Sequence, residues 1–272
     1  MAASDFDERF TQLDPTIWTA SYLPAWSSRA AAAATLATGR EGLDLSIPPS
    51  QPLWCPDLHD GPLRVSAIQS ANRSGPVGST DAPQPFREGL VVREAQPTVL
   101  GFIPHFGSVV VTCSAHLTPR SMFSAWMVGL EDQPDRCGEI CVMEIFGDRV
   151  AHGRADVGQG IHPFRDPALR EDFSAEPQKL DIEQSHTYGV RWRPGSVEFS
   201  IDGVTTRTAA QAPGYPMMLI LGLFDFPDRP GDPDDVPHLR VTRVTGRPPA
   251  PSLSRRRGKW RWAPRRAGKE AP

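Results

Sequence analysis

A chain of 272 residues with net charge −3 and 39% hydrophobic residues can bury one sizeable core, and single all-β domains routinely reach roughly 200–250 residues. Its 29 prolines and 23 glycines favour short strands joined by turns over long helices. No apolar run reaches the roughly eighteen residues of a membrane-spanning helix. The absence of a phosphate-cradling glycine motif and of a Gly-x-Ser-x-Gly elbow weighs against nucleotide and serine-esterase chemistry.

The start, Met1 to Glu8, has neither a basic region nor an apolar run, so no secretory leader is expected in this sequence; the default compartment is the cytoplasm, and export is the alternative if the true start lies upstream. The alanine run Arg29 to Ala34 is too short to hold a helix alone and reads as strand or loop. Alternating segments then predict strands over Thr35 to Ile47, Leu63 to Gln69, Leu90 to Glu94, Ser108 to Leu117 and Ser121 to Leu130. The polar stretch Gln69 to Ser79 reads as a loop in which Asn72 and Arg73 are candidate ligand contacts. Later strands are predicted over Met217 to Phe226 and Leu239 to Thr245. Two antiparallel sheets of such strands, packed face to face, give a β-sandwich of jelly-roll form.

Gly138-Glu139-Ile140-Cys141-Val142-Met143-Glu144-Ile145-Phe146-Gly147 sets two glutamates in an otherwise apolar run. An ionised carboxylate in apolar surroundings is costly unless it is paired or its pKa moves, so such pairs concentrate where acid/base chemistry is done. On a regular strand Glu139 and Glu144 would point to opposite faces. A β-bulge near Val142 or Met143 would bring them to one face, on either side of Cys141.

These residues resemble glycoside hydrolase family 16, the β-glucanases of laminarinase and lichenase type. The resemblance rests on Ser124-Ala125-Trp126-Met127-Val128-Gly129, then Glu139-x-Cys141-x-x-Glu144 with Phe146-Gly147, then His186 to Trp192 and the strand ending at Asp202-Gly203; it covers roughly residues 5 to 245. It implies an all-β jelly roll of the concanavalin A-like type and an endo-acting, retaining glycosidase cleaving β-glycosidic bonds in a polysaccharide. Glu139 is then the nucleophile and Glu144 the general acid/base, with carboxyl groups about 5–5.5 Å apart. The motif's middle aspartate, which orients the nucleophile, is replaced here by Cys141, a weaker donor that is neutral near pH 7, so weakened activity is expected. The alternative is a non-catalytic, lectin-like carbohydrate-binding domain. Trp126 is a candidate sugar-stacking platform or a core residue, and His162 resembles a histidine near the acid/base.

No cofactor is expected. The acidic loop from Asp225 to Asp235 carries oxygen ligands that suit calcium, but its prolines and Arg229 favour a solvated loop, which leaves a structural calcium open. The four cysteines read as buried, reduced thiols. From Arg247 to Pro272 nine basic residues face Glu270 alone, about +8, so the remainder carries about −11. Residues 1–246 are therefore read as the domain and 247–272 as a basic, disordered tail. The tail could meet nucleic acid, an anionic membrane surface or an acidic glycan, and an interaction protein acting through it is a third reading. No nucleic-acid partner is predicted for the domain itself.

Overall fold

The computed structural model describes residues 5–249. Its strands in chain order are β1 (Phe6–Glu8), β2 (Thr35–Gly39), β3 (Gly42–Ser46), β4 (Arg64–Gln69), β5 (Ala71–Asn72) and β6 (Val99–Leu100). There follow β7 (Gly107–His116), β8 (Ser121–Gly129), β9 (Glu139–Phe146), β10 (Val150–Ala151), β11 (Arg154–His162) and β12 (Asp172–Gln178). The last are β13 (His186–Arg193), β14 (Ser196–Ile201), β15 (Val204–Ala209), β16 (Met217–Asp225) and β17 (His238–Arg247).

They form two antiparallel sheets. One has the order β15-β14-β13-β7-β17-β3-β2, with β1 also on β17; the other has β10-β11-β9-β8-β16-β4, with β12 also on β11. The alternation of β14 shows why they stack: Val197, Phe199 and Ile201 enter the inter-sheet core while Glu198 and Ser200 do not. β8 and β16 are buried along their whole length. In them Phe123, Ala125, Leu219 and Leu221 face the inter-sheet core, whereas Met122, Trp126, Met218 and Ile220 enter a second apolar cluster on the sheet's other face. Tyr22 to Trp26, Trp54 and the segment Ala82 to Val92 pack onto that second cluster, so the outer face of the seven-stranded sheet is roofed only in part by loops. The molecule is thus the expected all-β sandwich.

Three local readings change. Leu90 to Glu94 is not a strand: Leu90 and Val92 are buried in the outer cluster, and Val92 exchanges backbone hydrogen bonds only with the turn at Gly78 and Ser79. Among the strands not predicted, β11 pairs with β9 and β12 pairs with β11 on the side away from β9. Gly160 lets β12 approach closely, since a Cβ there would lie 2.2 Å from the Asp172 carbonyl oxygen. The acidic loop begins inside the fold, since Asp225 is buried in a two-pronged ion pair with Arg120 (2.5 and 2.8 Å) and also meets Arg64 at 3.1 Å. Among the described residues no cluster of three or more His, Cys, Asp or Glu is arranged to hold a metal, and no helix is long and apolar enough to cross a membrane. All four cysteines are buried and free. Most of the basic tail, 250–272, lies outside the described residues.

Candidate functional site

In the β8–β9 ladder Ala125 pairs with Met143 and Trp126 with Cys141, so β9 carries one residue more than its partner. The ladder with β11 skips in the same place, between Gly158 opposite Glu144 and Gly160 opposite Cys141. The bulge drives two successive side chains, Val142 and Met143, into the inter-sheet core beside Ile140 and Ile145. Glu139, Cys141, Glu144 and Phe146 consequently share the outer face. The two glutamates are half-buried, and Cys141 between them is buried.

No described residue donates a hydrogen bond to either glutamate. Burial, followed by the charges of Glu144 and Glu171, pushes Glu139 up to about 8. Burial also raises Glu144, with the charge of His162 acting against it. The two carboxyls feel each other's charge, so their titrations are coupled. Cys141 gives no relief: its thiol lies 3.9 Å from the carbonyl oxygen of Gly158 and against Ser124. Burial and the two carboxylates hold the thiol protonated far above neutrality.

His162 stands directly across the β9–β11 ladder from Glu139. Its Nδ1 is 2.8 Å from Glu171, and its ring packs 4.6 Å from Phe173. Trp126 is on the same outer face but only 6% exposed, wedged against Tyr22 and Phe224 at 6.2 and 5.9 Å. It forms floor more than platform.

Asn72 and Arg73 do not join this group. Asn72 is 2% exposed, and its amide is engaged by Gln69 and Gln96 at 3.3 and 3.2 Å, which locks the loop beneath the sheet edge and leaves nothing for a ligand. Arg73 donates to the carbonyls of Leu130 and Glu131 at 3.4 and 3.1 Å and pairs with Asp81, so it braces a loop instead of facing the groove.

Tyr22 was not singled out from the sequence. Its ring contacts Trp54, Trp126 and Phe224, and the charge of Glu139 together with burial raises its phenol above the ordinary range. Among the described residues its hydroxyl has no hydrogen-bond partner. A tyrosine in an N-terminal loop carries no sequence signal for this position, because it arrives there through tertiary packing alone.

No known family profile and no curated protein sequence matches this chain. Solved structures do resemble it. A GlcNAcα1-4Gal releasing endo-β-galactosidase from Clostridium perfringens superposes with a TM-score of 0.75 at 22% identity, over 89% of this chain and 61% of that one. The chain thus spans about three fifths of that protein's length. The catalytic domain of an endo-1,3-β-glucanase (laminarinase) from Thermotoga petrophila gives 0.57 at 15%, over 88% of this chain and 95% of that one. A β-1,3-1,4-glucanase (lichenase) from a mouse hindgut metagenome gives 0.60 at 14%, over 90% and 100%. At these identities the likeness is one of fold, and the fold is the jelly-roll sandwich of glucanase type.

Proposed function

We propose that this protein is an endo-acting glycosidase that cleaves β-glycosidic bonds in a polysaccharide such as a β-glucan with retention, and that its activity is weakened by Cys141. The observation that carries the reading is the bulge at Val142 and Met143, which puts Glu139 and Glu144 on one partly roofed face. Glu139 attacks the anomeric carbon while the glycosidic C–O bond breaks and Glu144 protonates the departing oxygen. Glu144 then takes a proton from water, whose oxygen displaces Glu139 and restores both groups. Trp126 and His162 are the proposed substrate contacts; Asn72 and Arg73 are not. The catalytic unit is assigned to 1–246, with 247–272 as a basic appendage.

The assigned roles need Glu139 ionised. Pushed up to about 8, Glu139 is mostly protonated at neutral pH. A donor at position 141 would correct this, and the thiol does not supply one. The same observation favours a second reading, a lectin-like module that binds glycan in the groove without turnover.

A panel of β-1,3, β-1,4 and mixed-linkage glucans, with agarose and carrageenan, run with the intact protein and Glu139→Gln, tests both. Reducing sugar from the intact protein alone, with the anomeric configuration retained by NMR, supports hydrolysis. Binding by both proteins with no reducing sugar selects the lectin reading.

A further inference from the structure

Eight described non-glycine residues adopt a positive φ, and four of them, Leu23 (42°), Gln84 (50°), Glu131 (50°) and Phe164 (47°), line a single cavity. Left-handed backbone is disfavoured for a residue that bears a side chain. Such strain persists where the surroundings over-determine it and gathers at ligand clamps. These four come from four separate segments: the turn into Pro24, the loop before Phe86, the β8–β9 connection and the β11–β12 connection. No local motif makes them converge.

The cavity holds about 210 Å³. Part of its wall is polar and fixed. The carboxylate of Glu131 accepts the Gln84 N–H at 2.6 Å and is ion-paired with Arg165, while Arg73 donates to the Glu131 carbonyl from behind at 3.1 Å. Tyr22, Phe86 and Phe164 supply aromatic surface, and Phe164 is 58% exposed, so packing does not explain why it is held in a strained conformation. The side-chain oxygen of Gln84 is buried without a hydrogen-bond partner among the described residues. An acceptor left in that condition is costly, and a turn of the side chain toward the cavity would let a ligand donor satisfy it. Tyr22 joins this cavity to the groove, since its ring edge also meets Trp126, the residue opposite Cys141.

We infer that this cavity receives one neutral sugar ring, carried as a branch on the polysaccharide beside the unit facing Glu139; the inference rests on the glycosidase reading above. The volume is below the roughly 300–1,000 Å³ of pockets for drug-sized ligands, so it admits one ring and not a continuing chain. Aromatic faces suit the C–H face of a sugar, and the Gln84 oxygen suits a hydroxyl or an amide N–H. Arg165 is already balanced by Glu131, which leaves no unpaired charge for an ionic sugar.

Titration of the full chain by NMR with glucose, galactose and N-acetylglucosamine as separate probes tests this, with Glu139→Gln in parallel. At least one probe is expected to bind both proteins with a Kd of roughly millimolar order. Phe164→Gly keeps the left-handed backbone accessible, and Gln84→Asn retracts the acceptor on a residue that tolerates it. Each is expected to weaken binding by about tenfold with Tm unchanged. Saturable binding sensitive to both substitutions, without hydrolysis of any glycan, would keep the cavity as a sugar site and remove the hydrolase. Hydrolysis without monosaccharide binding, and without preference for branched over linear substrate, would overturn the cavity and keep the hydrolase. Binding indifferent to both substitutions overturns it as well.

Discussion

The sulfur of Cys141 lies 3.9 Å from the carbonyl oxygen of Gly158, so the side chain between the two glutamates directs its proton to the neighbouring strand and not to Glu139. Glu139 is left half-buried, beside a second carboxylate and without a donor, and its proton affinity rises accordingly.

The first consequence is a displaced pH profile. Activity needs Glu139 ionised while Glu144 keeps its proton, so the limbs of kcat/KM against pH belong to the pair, and one of them should sit near 8, far above the ordinary carboxylate range. In Cys141→Ser a stronger donor favours the ionised carboxylate, so the limb should move to lower pH and activity at neutrality should increase. Cys141→Asp should raise turnover through its protonated carboxyl, which donates to Glu139 as the thiol does not. An unshifted limb in both variants would show that position 141 does not tune Glu139.

Stability should carry the mirror image of that effect. Glu139 binds its proton more tightly folded than unfolded, so as pH rises past about 4.3 the unfolded state loses the proton first and folding weakens until the folded group also titrates near 8. Glu139→Gln has no such penalty. Its denaturation midpoint should match the parent at about pH 4 and exceed it increasingly up to about pH 8, with an upper bound of a few kcal/mol. A constant offset across that range would contradict the burial argument.

Tyr22→Phe removes a hydroxyl with no protein partner among the described residues. Stability should stay within about 0.5 kcal/mol of the parent, while kcat/KM on a cleaved glycan should fall about tenfold, the scale of one lost hydrogen bond to substrate. Equal activity of the two proteins would place the hydroxyl outside the substrate's reach.

The ion pair between Arg120 and Asp225 is buried on both sides, with side chains 8% and 7% exposed. Arg120→Met strands a buried carboxylate with Arg64 as its remaining partner and should cost about 3 kcal/mol in urea denaturation. Adding Asp225→Leu should restore part of that loss, because the uncompensated charge is gone.

The four buried thiols should resist alkylation in the native protein and react after unfolding, and a reductant should leave Tm unchanged. Burial pushes Cys55 up to about 11 and also raises Cys141 well above the ordinary thiol range, so the thiolate is scarce at both. Rapid native labelling of Cys141 would mean the groove is more open than its packing indicates.

Much of this molecule follows from local pattern. The alternation of Val197, Phe199 and Ile201, or the continuous apolar run of β16, specifies strand and buried face because side-chain direction has period two. The spacing of Glu139 and Glu144 likewise demands an extra residue if both are to share a face, and Val142 and Met143 entering the core together are that extra residue made visible. The left-handed backbone of Leu23, Gln84, Glu131 and Phe164 has no counterpart in sequence, since none is a residue type that favours it. The burial of Asn72, the missing donor at Glu139 and the cavity beside Tyr22 arise where segments far apart in the chain pack together. Short-range periodicity therefore determined the strands and the acidic pair, whereas long-range packing decided which polar atoms are satisfied, which are left open and how tightly Glu139 holds its proton.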